Sequence, residues 1–91
     1  MIKFKCKSYH NNVEVFILDS ESDEGAFLTV DVDSDSLSLY ETSELSDFMA
    51  DTREIIAEKA NAVFPGVQID EESLKHVLAS IEISVACSYF E

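Results

Sequence analysis

The stretch IKFKCKSYHNNVEVFILD, residues 2–19, decides how the chain begins to fold. Ile2, Phe4 and Cys6 alternate with Lys3, Lys5, Lys7 and Tyr9, the period-two pattern of a strand with one buried face. His10-Asn11-Asn12 is a turn signal, because Asn tolerates φ > 0. Val13, Val15 and Ile17 resume the alternation with the same inner face. A two-residue Asn11-Asn12 loop pairs Cys6 with Ile17 and Lys7 with Phe16, so the apolar faces match.

The pattern continues outward from this hairpin. SESDEG, 20–25, is a polar loop ending in glycine. A third strand over 26–33 places Leu28, Val30 and Val32 inward and Phe27, Thr29, Asp31 and Asp33 outward. A turn near Ser34-Asp35 leads to a short fourth strand over 37–41, with Val32 opposite Leu37 and Val30 opposite Leu39. The period then changes. Leu45, Phe48, Met49, Ile55, Ile56, Ala60 and Val63 follow helical spacing, with Thr42 or Ser43 as N-cap. Glu44 and Asp47 suit the positive end of that helix, and Phe64-Pro65-Gly66 ends it. Asp70 caps a second, shorter helix with Leu74, Val77, Leu78 and Ile81 on one face. Ile81, Ile83, Val85, Cys87 and Tyr89 alternate and favour a closing strand, with a continuing helix as the other possibility. The expected fold is a single α+β domain over residues 1–91. It comprises a four- to five-stranded antiparallel sheet, hairpins first, with one long and one short helix on one face.

Composition sets the electrostatics. The 91 residues contain 19 acids and 6 bases, a formal net charge of −13. Such a chain repels nucleic acid and anionic membranes and attracts basic partners. No apolar stretch is long enough to span a bilayer, and the start lacks the apolar run of a signal peptide. The expected location is the cytoplasm, that of the host cell if the chain is viral. The acid is concentrated: between Lys7 and Arg53 there are twelve acids and no lysine or arginine. The remainder nearly balances, with seven acids against six bases.

The stretch DVDSDS, 31–36, resembles the start of a calcium loop. Counting from Asp31, however, Ser36 stands where the loop needs glycine, Thr42 stands where it needs a bidentate Glu, and a strand precedes it. As strand and turn it places Asp31 and Asp33 on a solvated face and Asp35 at the tip. On the first helix Glu44, Asp47, Asp51, Glu54 and Glu58 recur at 3–4 spacing and form a ridge about 21 Å long. That is one charge per 4–5 Å, against about 3.4 Å along a DNA strand. The i,i+4 salt bridges of an ordinary exposed helix are missing along most of it. The strand phases also send Tyr9, Phe16, Leu18, Phe27 and Tyr40 to the outer sheet face. Of these, Tyr9, Phe27 and Tyr40 are the candidate aromatic contacts.

Other chemistries lack a pattern. Cys6, His10, His76 and Cys87 have no zinc-ligand spacing, and the two cysteines sit at inward positions. No phosphate loop or nucleophile motif is present, so no metal, cofactor or catalytic residue is assigned. The expectation is a non-catalytic acidic module, an inhibitor that offers DNA-like carboxylates to a basic, nucleic-acid-binding protein. Its contacts are Asp31, Asp33, Asp35, Glu44, Asp47, Asp51, Glu54 and Glu58. In size, charge and α+β make-up the chain resembles small acidic inhibitors, such as the DNA-mimicking anti-restriction and anti-CRISPR proteins of phages and the immunity proteins of nuclease toxins. Two alternatives stand beside it: an assembly protein that dimerises through the aromatic sheet face, and a weak divalent-cation binder.

Overall fold

A computed structural model describes residues 1–22, 24–32 and 45–89, and the side chains of all of these except 45, 46 and 87–89. The described chain is α+β. Three strands, β1 (Ile2–Ser8), β2 (Asn12–Asp19) and β3 (Gly25–Asp31), precede two helices, α1 (Leu45–Val63) and α2 (Glu71–Tyr89). The strands form one antiparallel sheet in the order β1-β2-β3.

The alternation in residues 2–19 sets both faces as expected. Ile2, Phe4, Val13, Val15 and Ile17 are buried, and Lys3, Lys5 and Lys7 are exposed. The register differs from the expected one by two residues. Cys6 lies opposite Val15 and Lys7 opposite Glu14, not Ile17 and Phe16. Facing fixes register only to within an even number, so apolar matching alone cannot separate the two pairings. In the observed pairing Ile2 meets Asp19 at the end of β2. The expected pairing would carry Ile2 past that end, opposite Glu21. The turn also differs: Tyr9 N–H donates to Asn12 C=O at 2.8 Å, which leaves His10-Asn11 at the tip. No described non-glycine residue has φ > 0, so the asparagines do not form a primed turn here.

β3 follows in register with β2, with Val13 opposite Val30 and Val15 opposite Leu28. Val32 N–H extends the ladder to Asn11 C=O at 2.9 Å, and its side chain is fully buried. Gly25 stands opposite Leu18, and a Cβ there would lie 2.8 Å from Leu18 Cδ2, so glycine lets Leu18 lie across the strand. The expected turn at Ser34-Asp35, the strand over 37–41 and the caps Thr42 and Ser43 lie outside the described residues. The sheet of the described residues has three strands, not four or five.

The inner face packs on both helices. From α1 it meets Ile56, Ala60 and, just beyond the helix, Phe64; from α2 it meets Leu74, Val77, Ile81 and Val85. Ile55, expected on the apolar stripe, is 57% exposed. Neighbouring residues point about 100° apart on a helix, so Ile55 and Ile56 cannot both face the core. Thr52 takes the next place in the buried stripe, and its hydroxyl donates to Phe48 C=O at 2.8 Å. Gly66, at φ 78°, takes the left-handed conformation just past α1 where the chain turns away.

α2 is as long as α1, at 19 residues, and absorbs the segment expected to form a closing strand. Ile81 and Val85 are buried one helical turn apart and continue the stripe of Leu74 and Val77, whereas Ile83 is 66% exposed. The two isoleucines and the valine satisfy a period of two in sequence. The core accepts only the i,i+4 pair, and no glycine or proline interrupts the helix.

The C-terminal half covers the free edge of β1. Ile2 N–H donates to Gln68 C=O at 2.7 Å and Asp70 N–H to Ile2 C=O at 2.8 Å, around a parallel bridge between Ile2 and Ile69. Asp70 occupies the N-cap position, and its carbonyl accepts from Leu74 N–H at 3.2 Å. Phe4 N–H donates to Ser73 Oγ at 3.1 Å, and the Ser84 and Ser8 hydroxyls lie 3.4 Å apart at the strand's far end.

Candidate partner-binding surfaces

Two exposed surfaces stand out, one on each layer. The first is on α1. Asp47, Asp51, Glu54 and Glu58 are all exposed. At 3.6 residues per turn they occupy about 60° of arc, roughly opposite the buried Thr52, Ile56 and Ala60, and span about 16 Å. Among the described residues none of the four has an ion pair; the two pairs present join the Met1 ammonium to Asp19 at 3.6 Å and Arg53 to Glu71 at 2.7 Å. The Arg53 guanidinium therefore turns toward α2 and leaves the ridge uncompensated. Asp47–Asp51 and Glu54–Glu58 are i,i+4 like-charge pairs, each costing the helix about 0.2–0.5 kcal/mol. Asp47 recovers part of this by standing in the first turn, where the helix dipole favours a carboxylate. Exposed Ile55 flanks the ridge.

The second surface is the face of the sheet turned away from the helices. Phe16 and Phe27 face each other across β2 and β3 with ring centroids 6.4 Å apart, tilted by 39°. Phe27 is 61% exposed, and Tyr9 and Leu18 are also exposed. The neighbouring row on β1 is cationic: Lys3 lies opposite Leu18, Lys5 opposite Phe16 and Lys7 opposite Glu14. The Lys7 ammonium sits 5.4 Å from the centroid of the Tyr9 ring, within cation–π range. Lys3, Lys5, Leu18 and Glu24 contribute to a shallow depression at one end of this face. The sequence reading placed these aromatics among carboxylates. The structure places half of the chain's six bases directly beside them. The signal was the alternation in residues 2–9, which puts the three lysines in phase with the outer face.

The structure does not gather the expected acidic contacts into one site. Asp47, Asp51, Glu54 and Glu58 share the α1 ridge, whereas Asp31 is exposed on β3, on the outer face beyond Thr29. Asp33, Asp35, Glu44 and Tyr40 lie outside the described residues. Cys6 is half-buried with a free thiol, and His10 and His76 are exposed. Among the described residues no three His, Cys, Asp or Glu side chains come together as a metal site, and no helix is long and apolar enough to cross a membrane.

No family model, no curated protein and no solved structure matches this chain.

Proposed function

We propose that this protein is a non-catalytic binding module whose acidic α1 face engages a basic, nucleic-acid-binding protein and occupies the surface meant for phosphates. The observation that carries this reading is the row Asp47, Asp51, Glu54 and Glu58, exposed and without an ion pair among the described residues. A helix optimised only for stability would interleave Lys or Arg at i,i+4, each pair adding about 0.2–0.5 kcal/mol. Four charges over about 16 Å of helix give one per 5–6 Å, coarser than a DNA strand yet able to meet successive cations of a nucleic-acid groove. The net charge of −13 adds long-range attraction to such a partner and repels nucleic acid itself. Asp33, Asp35 and Glu44 belong to the partner contacts in the same reading, whereas Asp31, on the outer sheet face, lies apart from the α1 row; the compartment is the cytoplasm.

The test is capture from lysate on immobilised protein, eluted by a salt gradient and, separately, by duplex DNA. One basic protein released by moderate salt and by DNA supports the reading. The triple change D47K/D51K/E54K should abolish that capture while the circular dichroism spectrum is retained. Capture undiminished by the triple change, or indifferent to DNA, overturns it. The Phe16–Phe27 pair, with Phe27 exposed, favours a second reading, self-association through the sheet.

A further inference from the structure

We propose that the outer face of the sheet docks the α1 ridge of a second copy of this chain. The argument starts from a reversal of sign. In a chain of net charge −13, Lys3, Lys5 and Lys7 stand in one exposed row, none of them in an ion pair among the described residues. Lysines on an outer strand commonly deter edge-to-edge pairing. At the start of β1 part of that duty falls to residues 68–70 and Ser73, which take the outward N–H and C=O of Ile2 and the N–H of Phe4. Two of the lysines instead border apolar side chains, Lys3 opposite exposed Leu18 and Lys5 opposite half-buried Phe16, whose ring is tilted by 39° against that of Phe27, while Lys7 lies opposite Glu14.

The complement is present on the same molecule. The lysine row extends about 13 Å along β1 at 3.3 Å per residue, and the ridge from Asp47 to Glu58 extends about 16 Å. Each row has an exposed apolar neighbour: Leu18 opposite Lys3, with half-buried Phe16 opposite Lys5 and exposed Phe27 one strand further, and Ile55 beside the carboxylates. The two surfaces lie on opposite layers, so one molecule cannot join them. A contact between copies is head-to-tail and leaves one ridge and one lysine face free at the ends of the series. This inference uses the same ridge as the proposed function, but its test needs only the purified chain, so either can fail without the other.

Salt dependence gives the contact a signature. At about 0.01 M ionic strength the screening length is about 30 Å, and repulsion between whole molecules keeps them apart. Near 0.15 M it is about 8 Å, which removes that repulsion while contacts between opposed side chains persist. At about 1 M, with a length of about 3 Å, the contacts weaken too. Sedimentation equilibrium of the purified full chain at high concentration should therefore show a weight-average mass that peaks near 0.15 M, about twofold above the monomer, and falls on either side. The variants K3E/K5E/K7E and D47K/D51K/E54K should each be monomeric. Mixed one to one they should associate again, because the intact ridge of one meets the intact lysine face of the other and the two reversed faces are themselves of opposite sign. If a charge-reversed chain loses its circular dichroism spectrum, the neutral variants K3Q/K5Q/K7Q and D47N/D51N/E54Q replace the pair and should each be monomeric as well. A wild-type chain that is monomeric at every salt overturns the proposal. So does a mixture of charge-reversed variants that stays monomeric. Association that rises steadily with salt, survives reversal of the ridge and is lost in F27S also overturns it, and assigns a symmetric apolar contact instead.

Discussion

The hydroxyl of Ser73 accepts from Phe4 N–H at 3.1 Å and donates to Asp70 C=O at 3.0 Å, joining the outer edge of β1 to the first turn of α2. Ser73→Ala leaves that partly buried N–H without its acceptor, and the loss should be about 1–2 kcal/mol, read as a lower urea midpoint at unchanged slope. A midpoint equal to that of the wild type would show that water replaces the hydroxyl at no cost. Such a contact has no sequence signal, because it joins positions 69 residues apart. Thr52 was equally illegible: a hydroxyl residue in the buried stripe is recognised only once Ile56 and Ala60 fix which side of α1 faces inward. The lysines of β1 were different. Their alternation with Ile2, Phe4 and Cys6 already places them on the outer face.

Two elements carry the contrast between what pattern reveals and what packing decides. The faces of β1 and β2 follow from their alternation, whereas their register does not, since a shift by two preserves every facing. Residues 81–89 satisfy both periods, and the discriminating position is Ile83. Ile81→Ala should cost about 2–5 kcal/mol by opening the core, while Ile83→Ala should stay within about 0.5 kcal/mol in chemical denaturation. In a strand with Ile81, Ile83 and Val85 on one buried face, the two losses would be alike. The α1 ridge was legible from its 3–4 spacing, because helical geometry turns that spacing directly into a shared face. Its like-charge neighbours predict that Asp51→Asn with Glu54→Gln stabilises the fold by roughly 0.5–1 kcal/mol at low salt and by little in 1 M NaCl. If the ridge is the docking surface, the same change weakens partner capture, so stability and binding move in opposite directions. A double variant no more stable than the wild type at low salt would show that the ridge charges do not interact.

At the scale of the whole molecule, the excess of thirteen negative charges works against compactness. The urea midpoint should rise as NaCl goes from about 10 mM to about 500 mM, where the screening length falls from about 30 Å to under 5 Å. A midpoint that fell over this range would mean that local attractions, such as Arg53 with Glu71, outweigh the general repulsion. The structure also separates what the sequence joined into one acidic tract. Asp31 belongs to the outer sheet face, and Asp47 and Asp51 to the far side of α1. Proximity along the chain did not become proximity in space because the sheet lies between them.

Residues 68–70 and Ser73 take the outward backbone groups at the start of β1, and a ribosome adds them after the hairpin. The hairpin of residues 2–19 is complete about fifty residues before Gln68 is added, a lag of roughly 3–10 s at 5–20 residues per second. Through that interval the outward backbone groups of Ile2 and Phe4 lack the partners they have in the finished fold, on a segment that bears half of the protein's bases. The three lysines are well placed to keep neighbouring nascent segments apart during those seconds.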